Sequence, residues 1–156
     1  MAKPLPEPID LSYYSKVVVR RFTIVDFNQQ GTWILDKLSD LFPNVNERNV
    51  VGWIRTLLGS TSHSFIYTEK ALGLAQISHA PLSNLPIVEE VFVLLAPEAK
   101  YADGIPIYMK WKMWSDSMDC KEIRVENFSE IPREYIELGL GKKIERVAYS
   151  RVKTGL

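Results

Sequence analysis

The stretch from Ile87 to Met118 constrains this chain more than any other, because its apolar pattern changes from that of a strand to that of a helix across one short loop. Val88-Glu89-Glu90-Val91-Phe92-Val93-Leu94-Leu95-Ala96 is rich in β-branched and large apolar residues and stops at Pro97. That is the composition of a strand covered on both faces, and so of the middle of a sheet. Glu98 to Pro106 reads as a loop, after which Ile107, Tyr108, Trp111, Ser115 and Met118 recur at helical spacing. Pro106 suits the first helical position, where its missing N–H would have had no intrahelical partner and its fixed φ is already helical. A helix N-terminus there carries unpaired N–H groups and a partial positive charge, the surroundings that a phosphate-bearing ligand requires.

The 156 residues are enough for one domain with a core of its own, without disulfides or metal. The 19 Lys and Arg balance the 19 Asp and Glu, so the footprint of a dedicated nucleic-acid binder is absent. Cys120 is a single cysteine and cannot form an intrachain disulfide, and no charged n-region with an apolar h-region opens the chain. A cytoplasmic protein is expected. No apolar run nears the roughly 20 residues that span a bilayer, so no membrane partner is expected. His63 and His79 have no metal-like spacing to Cys120 or to each other, and no metal site is expected.

Residues 1–16 read as an N-terminal arm with a Pro-rich start, in which Ile9 to Tyr14 packs as an extended segment. Residues 17–153 read as a single domain. Val17 to Phe22 is a β-branched strand, and Thr23 with Asp26 three residues later suits a helix cap. Phe27, Ile34, Leu35, Leu38, Leu41 and Phe42 share one face of that helix, with a break expected near Gly31 and an end at Pro43. Asn46 caps a second helix carrying Val50, Val51, Ile54, Leu57 and Leu58, with Gly59 as its stop. Ser64–Thr68 and Ala71–Ser78 form a hairpin around Glu69-Lys70, and residues 80–86 form a loop into the central strand. Past the third helix, which Cys120 ends, Glu122–Glu126 alternates as a strand and Arg133–Leu138 is a short helix ended by Gly139 and Gly141. Ile144 to Val152 is the last strand. The order β-α-α-β-β-β-α-β-α-β is an α/β (α+β) mixed central sheet with helices on both faces.

Three pieces of this order resemble the GNAT superfamily of acyl-CoA-dependent N-acetyltransferases. Arg20-Arg21-Phe22-Thr23-Ile24-Val25-Asp26 is similar to the family's opening strand and Thr-x-x-Asp helix start. Tyr101-Ala102-Asp103-Gly104-Ile105-Pro106 follows the central strand at the place of the family's Arg/Gln-x-x-Gly-x-Gly/Ala pyrophosphate loop. Asn127 with Tyr135-Ile136-Glu137-Leu138-Gly139-Leu140 resembles the family's Asn…Tyr-x-x-Leu-Gly-Phe ending, with one extra residue between Asn and Tyr.

The resemblance implies acetyl-CoA as cofactor, held at the pyrophosphate by Lys100, Tyr101, Ala102, Asp103, Gly104, Ile105 and Pro106. It also implies a splayed strand near Leu94 and Leu95 for the pantetheine arm, and contact at Asn127. The loop departs from the pattern. Pro106 replaces the second small residue and removes an N–H, Asp103 adds a negative charge, and Tyr101 stands where a basic or amide side chain is usual. By the same resemblance Glu90 is the general base and Tyr135 the acid that protonates the departing thiolate. Glu89 and Glu90 point to opposite faces of a strand, so at most one faces the site; alternatively both solvate an exposed strand start. Tyr135 also reads as a core-facing aromatic, and Asn127 as a turn residue.

Two functions follow from the resemblance. One is direct acetyl transfer from acetyl-CoA to an amine, small or on a protein. The other is a cofactor-free GNAT-fold binding or assembly protein, suggested by divergent GNAT-like proteins of this size in tailed-phage genomes, for which the location would be the host cytoplasm. The acceptor and the oligomeric state, a homo-oligomer included, are not written in the sequence.

Overall fold

In a computed structural model the described residues are 8–79, 86–120, 122–125 and 131–141. The expected last strand, Ile144 to Val152, lies outside them, as does Asn127. In chain order the elements are α1 (Leu11–Ser15), β1 (Arg20–Arg21), α2 (Ile24–Leu41), α3 (Glu47–Leu57), β2 (His63–Tyr67), β3 (Ala71–His79) and β4 (Pro86–Leu95). A 3-10 turn (Tyr101–Gly104), α4 (Ile105–Ser117), β5 (Glu122–Arg124) and α5 (Arg133–Leu140) complete them. The strands form one mixed sheet in the order β1-β2-β3-β4-β5, antiparallel except for the parallel β4–β5 pair.

Local chemistry explains most of the boundaries. Thr23 Oγ1 accepts from Asp26 N while Asp26 Oδ2 accepts from Thr23 N, a closed capping box at the start of α2. Asn46 and Asn49 make the same exchange at α3. Three expectations are corrected. Asp10 caps Tyr13 N, so the segment expected to be extended starts the helix α1. The β-branched run before Phe22 pairs with β2 only at Arg20 and Arg21. α2 runs through Gly31 unbroken, since this glycine faces the ring of its own helix's Phe27.

The sheet separates two cores. Phe27, Ile34 and Leu38 of α2 and Val50 and Ile54 of α3 pack on Phe65, Leu72, Leu74, Phe92 and Leu94. Ile107, Tyr108 and Trp111 of α4 and Ile136 and Leu140 of α5 pack on Ala71, Ala75, Val88, Val93 and Leu95 of the other face. Gly73 lets α4 approach closely, because a Cβ there would lie 2.6 Å from Ile107 Cγ2 and 2.9 Å from Trp111 Cζ2.

β4 changes face at a bulge. Leu74 registers with Phe92 but Ala75 with Glu90, which leaves Val91 as an extra residue. Beyond the bulge, odd-numbered Val93 and Leu95 face α4; before it, even-numbered Val88 does so. Glu90 shares the face of Val88 and is therefore carried under α4.

Candidate functional site

The turn between β4 and α4 is built from its own hydrogen bonds. Ala96 N donates to Lys70 O and Ala99 N to Ala96 O, both at 2.9 Å, which fixes the exit from β4. Asp103 then folds back: its Oδ2 accepts Lys100 N at 2.8 Å while Asp103 N donates to Lys100 O at 2.9 Å. Ile105 N donates to Ala102 O, and Pro106, in the first turn of α4, has no N–H to offer. The expected open loop is thus a 3-10 turn running straight into the helix. The space beside Gly104 is also taken, since a Cβ there would clash with Ile131 Cδ1 and lie 3.7 Å from Leu95 Cδ2.

In front of this turn lies a cleft of about 790 Å³. Tyr101 and Ala102 of the turn, with Ala99 and Lys100, form one wall; Tyr135 of α5 closes one side and Asp10, Tyr13 and Tyr14 of the α1 segment the other. The Tyr101 and Tyr135 rings are 5.8 Å apart, and those of Tyr13 and Tyr14 meet edge to face at 4.9 Å. Burial pushes the Tyr14 phenol above its ordinary pKa, and the Asp103 carboxylate and the phenols of Tyr13 and Tyr135 push the same way. Tyr14 is therefore a neutral phenol at physiological pH, surrounded by the other groups of the cleft. Asp103 and Pro106 face a second cavity of about 360 Å³ beyond Tyr13, which Arg20, Glu69 and Lys70 also line.

Glu90 is only 1 % exposed and accepts a 2.5 Å hydrogen bond from Tyr108 Oη on α4. It does not line the tyrosine cleft. Its neighbour Glu89 is half-buried on the other face and accepts from Gln76 Nε2 at 3.0 Å. The alternative of two carboxylates solvating an exposed strand start is corrected by this burial, which the bulge at Val91 produces. Leu94 and Leu95 are buried in the two cores. The described pairing of β4 with β5 stops at Glu89↔Arg124, so the β5 side of β4 beyond Glu90 has no described strand against it.

Of the expected residues, Lys100, Tyr101, Ala102 and Tyr135 meet on one cleft. Glu90, Gly104 and Ile105 are packed beneath the turn or under α4. Sequence reasoning missed Asp10, Tyr13 and Tyr14. Their signal was present in Asp10 as an N-cap before Leu11-Ser12-Tyr13-Tyr14, too short a run for apolar periodicity to reveal a helix. Among the described residues no group of His, Cys, Asp and Glu could hold a metal ion, and no described helix is long and apolar enough to cross a membrane.

No family model and no curated protein matches the sequence. Solved structures match the fold. A GNAT family acetyltransferase from Staphylococcus aureus superimposes with a TM-score of 0.51 over 69% of this chain and 83% of that one, at 17% identity. This chain has the GNAT fold. The tetramutant of the BH1408 protein from Bacillus halodurans superimposes with the same TM-score over 83% of this chain and 95% of that one, at 13% identity. At these identities the likeness extends to the fold alone.

Acetyl-CoA, the cofactor that a GNAT fold implies, does not fit the turn. A pyrophosphate cradle needs outward N–H groups and room at a glycine for the phosphate to approach. Here the amides of Lys100, Asp103 and Ile105 are bonded within the turn, Pro106 has none, and Ile131 fills the room at Gly104.

Proposed function

We propose that this chain is a GNAT-fold binding protein that does not carry acetyl-CoA, and that its tyrosine-lined cleft holds a different ligand. The observation that carries this reading is the filled space at Gly104. A glycine whose missing Cβ admits a neighbouring side chain serves packing, whereas one serving a cofactor leaves that space open to a ligand. Asp103 strengthens the reading, because its carboxylate occupies a turn amide and adds negative charge where a pyrophosphate would need positive.

Acetyl transfer from acetyl-CoA to an amine is the second reading, and one observation favours it. Tyr135 stands on the cleft wall beside Tyr101, as an acid acting at that cleft would. Calorimetric titration of the chain with CoA and with acetyl-CoA, beside thermal unfolding, decides between the two. Cofactor-free binding gives no heat and no change in Tm at millimolar CoA. Saturable binding with a rise in Tm of several degrees, the shift that a ligand at about 100 times its Kd gives a domain of this size, would overturn the proposal.

A further inference from the structure

We propose that the tyrosine cleft is a site for a methylated ammonium group, held by aromatic faces. The inference rests on the cofactor-free reading of the same cleft and names its ligand class. Four tyrosines from three elements converge there: Tyr13 and Tyr14 from α1, Tyr101 from the 3-10 turn and Tyr135 from α5. They form two close pairs, Tyr13 with Tyr14 edge to face and Tyr101 with Tyr135 tilted by 55°, so within each pair the rings lie in different planes. The negative face of an aromatic ring attracts a cation, and a fully methylated, quaternary ammonium suits such walls because its charge is spread over methyl groups and it has no N–H that asks for an acceptor.

The surrounding charges agree. Asp10 lines the cleft, and its Oδ1 caps Tyr13 N at 3.2 Å. Asp103, on the neighbouring cavity, adds to burial in raising the pKa of the Tyr14 phenol. Lys100 is the cation of the lining, but it is exposed on a flexible stem and can turn its ammonium into water. An anionic ligand would meet Asp10 and a turn in which the amides of Lys100, Asp103 and Ile105 are bonded internally and Pro106 has none. A primary ammonium would lose strong hydration to rings that replace it poorly.

The test titrates the full chain with choline and with 3,3-dimethylbutan-1-ol, a neutral molecule of the same shape, observed by NMR. Choline should bind saturably and about 5- to 10-fold more tightly than the neutral isostere, the ratio expected of a partly desolvated cation–π site. Tyr101 is half exposed, so it can be varied without removing core. Tyr101→Phe should keep choline binding within about 2-fold, and Tyr101→Ala should weaken it about 5-fold. Equal binding of choline and its isostere, no binding of choline, or indifference to Tyr101→Ala in a folded protein would each overturn the site. CoA titrated into the same sample separates the two proposals. CoA binding beside a normal choline response overturns only the cofactor-free reading, whereas silence towards choline with silence towards CoA overturns only the ammonium site.

Discussion

Asp26 is buried to 2 % exposure and yet is held in its charged form. Burial alone would raise its pKa, but Arg20, which grips both carboxylate oxygens at 2.5 and 2.7 Å, and the backbone and hydroxyl of Thr23 outweigh it and lower the value. A carboxylate whose native pKa lies below its unfolded value of about 3.9 adds stability above that pH and loses it as pH falls through the native pKa. Stability measured by urea unfolding should therefore hold from neutral pH down to about pH 4 and decline below it, and Asp26→Asn should flatten that decline while lowering stability at pH 7. Glu90 is also buried, and it accepts from the neutral phenol of Tyr108 on α4. Deleting the phenolic donor with Tyr108→Phe should reduce unfolding free energy by about 1–3 kcal/mol, the cost of taking a hydrogen-bond donor from a buried acceptor. An unchanged urea midpoint would mean that the 2.5 Å contact carries no net stability.

At the scale of elements, two helical glycines that look alike in sequence should respond in opposite directions. Gly52 sits in α3, exposed, with nothing within 4 Å of where its Cβ would be, so Gly52→Ala should stabilise by up to about 1 kcal/mol through helix propensity alone. Gly139 is within α5, where a Cβ would lie 2.7 Å from Tyr108 Cβ and 3.0 Å from Ile105 O. Because those atoms belong to α4 and cannot swing aside, Gly139→Ala should destabilise by about 1–3 kcal/mol despite the better propensity. Thermal unfolding of the two variants checks both signs. Gly139 also shows what the sequence could not tell. It looks like a helix stop, but the stop is Gly141, the described glycine with positive φ (+69°), and Gly139 is a point of close approach between helices distant in sequence. Caps were legible at Thr23 and Asn46 because their chemistry is local. The bulge at Val91 was not, because a bulge is defined by the register of a partner strand, and with it went the face on which Glu90 lies.

For the whole molecule the same division holds: the sheet between two helical layers follows from periodicity and caps, while the site depends on which distant segments meet at the turn after β4. The arm is the clearest case. α1 has five residues and buries none of them, and an isolated helix in water needs about 12–15 residues to be even marginal. It is held by the Asp10 cap and by Ile9 and Tyr14, which pack against the core from partly exposed positions. Such a segment should open without unfolding the rest. The amides of Lys16 and Val17, bonded to the carbonyls of Tyr13 and Tyr14 at 3.1 and 3.2 Å, should therefore exchange with solvent at rates independent of low urea. Amides bonded between β3 and β4 should instead follow global unfolding. Asp10→Ala should speed exchange at Lys16 and Val17 about 5-fold or more, the equivalent of roughly 1 kcal/mol of lost capping, and leave the global urea midpoint in place. If Lys16 and Val17 exchanged only with the β3–β4 ladder, or if Asp10→Ala shifted the global midpoint, the arm would belong to the cooperative core, and one wall of the tyrosine cleft would be as rigid as the sheet behind it.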